Sequence, residues 1–184
     1  LSNTFVGGEI QPENGEALSY RLDGKWQAQP QWDMSVAYSA GALVSTTDDL
    51  QRFITGLFDG ELISKASLKT MIALDDGYGK GIFATKYQRG EDVMGGYWHN
   101  GRIEAFVSHL VYFPEDKVSV VLLTNALNYD VGKIYESMLD AYYGKTVTIP
   151  EFGKAVELTT EQLKSLEGDY TSKTHPLDIS ITLV

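Results

Sequence analysis

Cysteine is absent from the 184 residues, which removes disulfides, thiolate metal sites and cysteine nucleophiles together. That absence assigns no compartment, because a chain of this size can fold without disulfides in oxidising or reducing surroundings. Positive charge is scarce: 15 Lys+Arg stand against 25 Asp+Glu, a formal net charge of −10. Phosphate backbones and anionic lipid are bound through clustered Lys and Arg, and no such cluster occurs here. Nucleic acid and membrane surfaces are therefore poor partners. No apolar run approaches the roughly 20 residues of a membrane span. The opening Leu1-Ser2-Asn3-Thr4 lacks the basic and then apolar pattern of a signal peptide, so any export signal is expected upstream.

Several motifs of hydrolytic chemistry are missing too. There is no Gly-x-Ser-x-Gly elbow, no His-Glu-x-x-His, and no glycine-rich phosphate loop with its lysine. None of the serines opens a Ser-x-x-Lys, and no tyrosine opens a Tyr-x-Asn. The histidines, His99, His109 and His175, lack the short spacing of metal ligands.

What is present suits a packed core: 43% hydrophobic and 11% aromatic residues. The first forty residues are rich in glycine, polar groups and aromatics without a sustained period. They read as long ordered loops, with a hairpin around Asp23-Gly24. A helix follows. Thr46 or Thr47 caps it, Asp48 and Asp49 suit the positive end of its dipole, and Gly60 stops it. Leu50, Phe53, Ile54, Leu57 and Phe58 form its buried stripe. Ser64 opens a shorter helix with Leu68, Met71 and Ile72 on its apolar face.

The pattern then turns to strands over residues 78–87, from Gly96, and in a hairpin pairing 106–113 with 118–124 through Pro114-Glu115-Asp116-Lys117. The near-continuous apolar run of 118–123 predicts a central strand covered on both faces. Asp130 caps a helix ending at Gly144, expected to pack on the sheet through Val131, Ile134, Met138 and Leu139. Residues 145–155, with Pro150 and Gly153, read as a linker. A short helix capped by Thr159 with Gln162 in the capping box, and stopped at Gly168, leads to alternating Leu177, Ile179, Ile181 and Leu183. That alternation predicts a strand with one buried face, the start of an incomplete β-rich unit.

Among the histidines, His109 lies inside an alternating apolar strand and reads as structural, and His175 before a proline as a surface residue. His99 stands in Tyr97-Trp98-His99-Asn100-Gly101-Arg102, at a junction of strand and glycine-containing turn. By pattern alone it is a polar strand-end residue.

Five segments in order carry a resemblance. They are Asn3-Thr4-Phe5, the run from Ala40 to Leu50, Tyr78-Gly79-x-Gly81, His99-Asn100-Gly101, and Tyr112-Phe113-Pro114-Glu115-Asp116 leading to Val121-Leu122-Leu123-Thr124-Asn125. Together they resemble the superfamily of class C β-lactamases, D-alanyl-D-alanine carboxypeptidases and penicillin-binding proteins. The tail resembles the small lipocalin-like β domain that some members carry.

The resemblance implies an α+β fold, an antiparallel sheet flanked by helices. Residues 1–144 would be the C-terminal part of the catalytic domain, 145–155 a linker and 156–184 the start of a second, β-rich domain. It implies a serine hydrolase acting by acyl transfer on a peptide, ester or β-lactam carbonyl, with no cofactor and no metal. Its partners would be the substrate and the N-terminal half of the same protein, and its location periplasmic or extracellular. His99-Asn100-Gly101 matches the family's third motif, Lys/His-x-Gly. His99 would then shape the electrostatics at the nucleophile, Gly101 would admit the substrate backbone, and the main-chain N–H of Arg102 would be an oxyanion donor.

Two departures from the family pattern matter. The nucleophile and tyrosine motifs precede this segment in the family, so the chain alone is expected to be inactive. The third motif carries His rather than Lys, which in the family accompanies peptidases and esterases more than efficient β-lactamases. Arg102 occupies a place where a small residue is common. A non-catalytic binding or scaffold module with the same fold is the alternative. A small ligand-binding β domain, resting on the tail alone, is a third.

Overall fold

The computed structural model describes residues 1–126, 128–149, 156–172 and 178–183. It divides into two units, Leu1–Val147 and Thr148–Val184.

The first unit opens with β1 (Phe5–Val6), a 3-10 turn (Pro12–Asn14), and the hairpin of β2 (Tyr20–Asp23) and β3 (Lys25–Ala28). Gly24, at φ 62, makes the expected turn at Asp23-Gly24. Residues 34–41, expected as loop, instead form α1 (Met34–Gly41), where Asp33 accepts from the Ser35 N–H as the N-cap. The period was hidden because Tyr38 breaks the helix with φ 39 and ψ −127. Next come β4 (Leu43–Val44), which pairs with β1, and α2 (Thr47–Asp59). Thr46 caps α2 by accepting from Asp49 N–H, and Gly60 closes it at φ 83. α3 (Lys65–Met71) is capped by Ser64 as expected.

The sheet follows: β5 (Phe83–Arg89), β6 (Asp92–Ile103), β7 (Phe106–Phe113) and β8 (Val118–Thr124), antiparallel in the order β5-β6-β7-β8. The predicted pairing of 106–113 with 118–124 is observed residue for residue, Phe113 opposite Val118 and Val107 opposite Thr124. Residues 78–82 fall outside β5. Tyr78 instead bridges Asp75 and Phe83 across a tight turn in which Asp76 and Gly77 both take positive φ. β6 begins at Asp92 rather than Gly96, since Gly95 and Gly96 interrupt the side-chain pattern without interrupting the ladder. At Gly96 a Cβ would stand 2.7 Å from the Phe113 ring, so the position admits no side chain.

α4 (Val131–Tyr142) starts at Asp130, whose carboxylate accepts from Gly132 N–H. It lies on one face of the sheet, where Leu139 joins Tyr87, Met94, Val111, Phe113, Val118 and Val120 in the larger core. Met138, expected at this interface, is 43% exposed; the contact runs through Leu139 and Tyr135. On the opposite face, Ile54 and Leu57 of α2 pack with Tyr112, and Leu68 and Met71 of α3 join them. The expected central place of 118–124 is corrected: β8 is an outer strand among the described residues. Its apolar continuity reports burial on two faces, which does not require a strand on each side.

The second unit holds α5 (Thr160–Lys164), β9 (Gly168–Thr171) and β10 (Asp178–Ile181), the two strands antiparallel. Thr159 and Gln162 form the predicted capping box. Gly168 begins β9 instead of ending the helix. The buried face predicted for the tail is not observed, since Ile179 and Ile181 are 58% and 45% exposed. Leu177, His175, Pro150 and Gly153 lie outside the described residues.

Candidate active site

His99, Asn100, Gly101 and Arg102 do not sit at a junction of strand and turn, as their sequence context suggested. All of them are ladder residues of β6, opposite Leu110, His109, Ser108 and Val107 of β7. The glycine belongs to the strand, and the turn lies beyond it at Glu104-Ala105. On the other side of β6, pairing with β5 stops at Trp98 opposite Phe83. From His99 to Ile103 the strand therefore keeps one edge free among the described residues.

Which groups point at that edge follows from ladder geometry. Ile103 and Phe106 close a two-residue turn, so Ile103 directs its main-chain groups at β7. Alternation then directs those of Arg102 and Asn100 at the free edge. Side chains alternate as well. His99 and Gly101 share the face of Tyr97, towards α2, while Asn100 and Arg102 share the face of Trp98, towards α4.

His99 is exposed, with Phe83 and Tyr78 as its ring neighbours at 5.4 and 6.4 Å. Its Nδ1 lies 2.7 Å from the Asn100 carbonyl oxygen. A carbonyl only accepts, so Nδ1 carries the proton, and in the neutral ring Nε2 is left as a free acceptor. Arg102 Nε donates to the Glu104 carbonyl at 3.2 Å. At Gly101 a Cβ would stand 2.8 Å from Ser108 Oγ, so its cross-strand neighbour already favours glycine.

Asn100 lies opposite His109, which is buried between Trp98 (5.1 Å between rings) and Tyr135 (4.6 Å). Burial lowers its pKa from the ordinary 6.5, and Nε2 has no hydrogen-bond partner among the described residues. The geometry is that of a core histidine.

The sequence pieces Asn3-Thr4-Phe5 and Ala40 to Leu50 meet in space. Phe5 pairs with Val44, and Asp49, 1% exposed, accepts from the Asn3 N–H at 2.7 Å and the Thr4 hydroxyl at 2.8 Å. Ser45 Oγ lies 2.9 Å from Thr4 Oγ1. Burial pushes the Asp49 carboxyl up, but those donors outweigh it and hold it below 3.8.

Residues that the sequence did not single out also border the β6 end. Trp32 donates its indole N–H to the Glu104 carboxylate at the tip of the β6–β7 turn. Gly41, closing α1, packs so near Ile103 that a Cβ would stand 3.1 Å from its Cδ1. Between them lies Tyr38, 77% exposed in backbone geometry that side chains avoid. Positive φ leaves no trace in composition, so only the glycine-poor Ile103-Glu104-Ala105 turn could have drawn notice. Gly7, Gly8, Glu9, Gln31, Trp32 and Asp33 line a groove of about 370 Å³ beside this point.

Similarity to known proteins fits this layout. One related structure is a D-stereospecific amidohydrolase from Streptomyces sp., at 25% identity and a TM-score of 0.59, matching 68% of this chain and 40% of that one. An octameric penicillin-binding protein homologue from Pyrococcus abyssi, at 20% identity and a TM-score of 0.60, matches 99% of this chain and 42% of its own. A penicillin-binding protein from Bacillus halodurans, at 20% identity and a TM-score of 0.50, matches 68% and 39%. The chain thus spans about two fifths of the length of these solved structures. Two of the three support the fold alone at such identity. The sequence profile described as Beta-lactamase matches residues 1–144, well over half of the chain. With the antiparallel sheet, its flanking helices and the His99-Asn100-Gly101 strand in that order, the chain belongs to the Beta-lactamase family, one of serine hydrolase type.

Proposed function

We propose that this chain supplies one wall of the active site of a serine acyl-transfer hydrolase, with the nucleophile contributed by residues beyond it. The free edge of β6 beside exposed His99 carries this reading. An edge that turns the Arg102 N–H outward suits the oxygen of a tetrahedral intermediate, where charge develops as a serine attacks the carbonyl. The outward N–H of Asn100, whose carbonyl already accepts from His99, suits an extended acyl chain laid beside the strand. His99, exposed beside that edge with its Nδ1 tied to the Asn100 carbonyl, keeps Nε2 as an acceptor that can orient the proton relay. The substrate is a peptide, ester or β-lactam carbonyl, and carboxypeptidase or esterase action suits the histidine third motif.

The missing wall belongs to the N-terminal half of the same protein. The open outer edge of β8 supports this, since an apolar strand covered on both faces leaves main-chain groups that another strand can pair. The tail is read as the start of a lipocalin-like domain, supported by the β9–β10 hairpin, and the parent as periplasmic or extracellular.

His99→Ala in the full-length protein tests the site. It should lower kcat/KM for an ester or peptide by roughly 10²-fold, a loss on the order of 2–3 kcal/mol in the transition state. His109→Ala should instead act through the melting temperature. Full activity in His99→Ala, or activity lost only in step with stability, would remove His99 from the site. A full-length wild type with no turnover of any such carbonyl would favour the scaffold reading.

A further inference from the structure

The β6–β7 turn is built against its local preference. Glu104 takes φ 51 at the first turn position while Ala105 does not share a positive φ, the pattern of a II′ turn, where glycine is the favoured first residue. A glutamate there needs something outside the turn to hold it. Two contacts do so. The Trp32 indole N–H donates to the Glu104 carboxylate across 72 residues of sequence, and Arg102 Nε donates to the Glu104 carbonyl at 3.2 Å. Trp32 stands next to Asp33, the cap of α1, and the other end of α1 packs through Gly41 on Ile103. The hairpin end thus meets both ends of the kinked segment 33–41, Glu104 through Trp32 just before it and Ile103 through Gly41 at its close.

We infer that Glu104 is a positioning residue: clamped by Trp32, it fixes the end of β6 so that the Arg102 N–H keeps its aim along the free edge. This rests on the acyl-transfer reading above. An oxyanion donor acts on charge that exists only in the transition state, so a loosened clamp should be felt in kcat more than in KM. A misplacement of about 1 Å by a group away from the chemistry can cost up to about 10²-fold in rate.

The test uses the full-length protein with Glu104→Ala, Glu104→Gln, Trp32→Phe and the Trp32→Phe/Glu104→Ala pair. Glu104→Ala and Trp32→Phe should each lower kcat by about tenfold while KM moves by less than about threefold. Glu104→Gln should stay within about twofold of wild type, because its amide oxygen still accepts from the indole. The double variant should be no worse than either single one, the signature of a shared contact. Independently of turnover, the Trp32 indole ¹⁵N–H resonance, identified by its loss in Trp32→Phe, should move in Glu104→Ala and hold in Glu104→Gln.

Additive losses in the pair, or a Glu104→Gln as impaired as Glu104→Ala, overturn the positioning role. An indole resonance unmoved by Glu104→Ala overturns the contact itself. A wild type that turns over no ester, amide or β-lactam, with the resonance responding as described, overturns the reading of the cleft and the catalytic role with it, but not the contact.

Discussion

Tyr38 carries a conformational cost that its exposure does not repay. At φ 39 and ψ −127 it occupies a glycine-like region, and at 77% exposure its side chain has little packing to lose. Tyr38→Gly is therefore expected to raise the melting temperature by about 2 °C, the relieved strain exceeding the added freedom of the unfolded chain. A lower melting temperature would show that the ring contributes more than the backbone costs. His109 works through protons instead. Burial keeps its imidazole neutral in the fold, while the unfolded chain protonates near the ordinary 6.5. Below that pH the unfolded state binds the extra proton, so stability falls as pH drops through 6.5 towards the lowered folded value. Urea unfolding at pH 7.5 and 5.5 should show a smaller loss in His109→Gln than in wild type. Equal slopes would place the acid sensitivity elsewhere.

At the scale of elements, α4 and the sheet define each other. Leu139 and Val111 are fully buried at their interface, and Leu139→Ala should cost about 2–5 kcal/mol, measurable by denaturant unfolding. Exposed Met138 should tolerate alanine far better. Polar ties finish the join at the far end of the helix. The Tyr87 hydroxyl and Lys145 Nζ both donate to Asp140, and together hold its carboxyl below the ordinary range. Arg89 and the Tyr143 hydroxyl do the same for Asp116, while burial foremost, then Asp116, pushes the Tyr143 phenol up to about 12. Elements with caps and apolar stripes were legible in sequence: Thr46, Ser64, Asp130 and Thr159 all cap as their residue types foretell. α1 was not, because a residue at positive φ interrupts it. The length of β6 was not, because Gly95, Gly96 and Gly101 look like turns in a sequence. In the sheet, Gly96 and Gly101 make room for Phe113 and Ser108.

For the whole molecule, two kinds of information entered the site. The motif order named His99, Asn100, Gly101 and Arg102, and the structure put them on one strand with a free edge. Trp32 and Tyr38 stand out in sequence only as aromatics of the leading loops, and their link to Glu104 and the β6 end does not, since it comes from backbone strain and from contacts tens of residues apart. Long-range joining also explains why Asn3-Thr4 and Asp49 occur together: one buried carboxylate accepts from both residues of the leading segment.

We propose that the chain holds the third-motif strand of an acyl-transfer hydrolase, with the nucleophile contributed by residues beyond it. Intact mass spectrometry after incubation with an activated ester and with a reactive β-lactam tests it most directly, run on residues 1–184 and on the full-length protein side by side. An acyl adduct is expected on the full-length protein, at a serine outside these residues, and none on the chain alone. An adduct on any serine between Ser2 and Ser180 would contradict it.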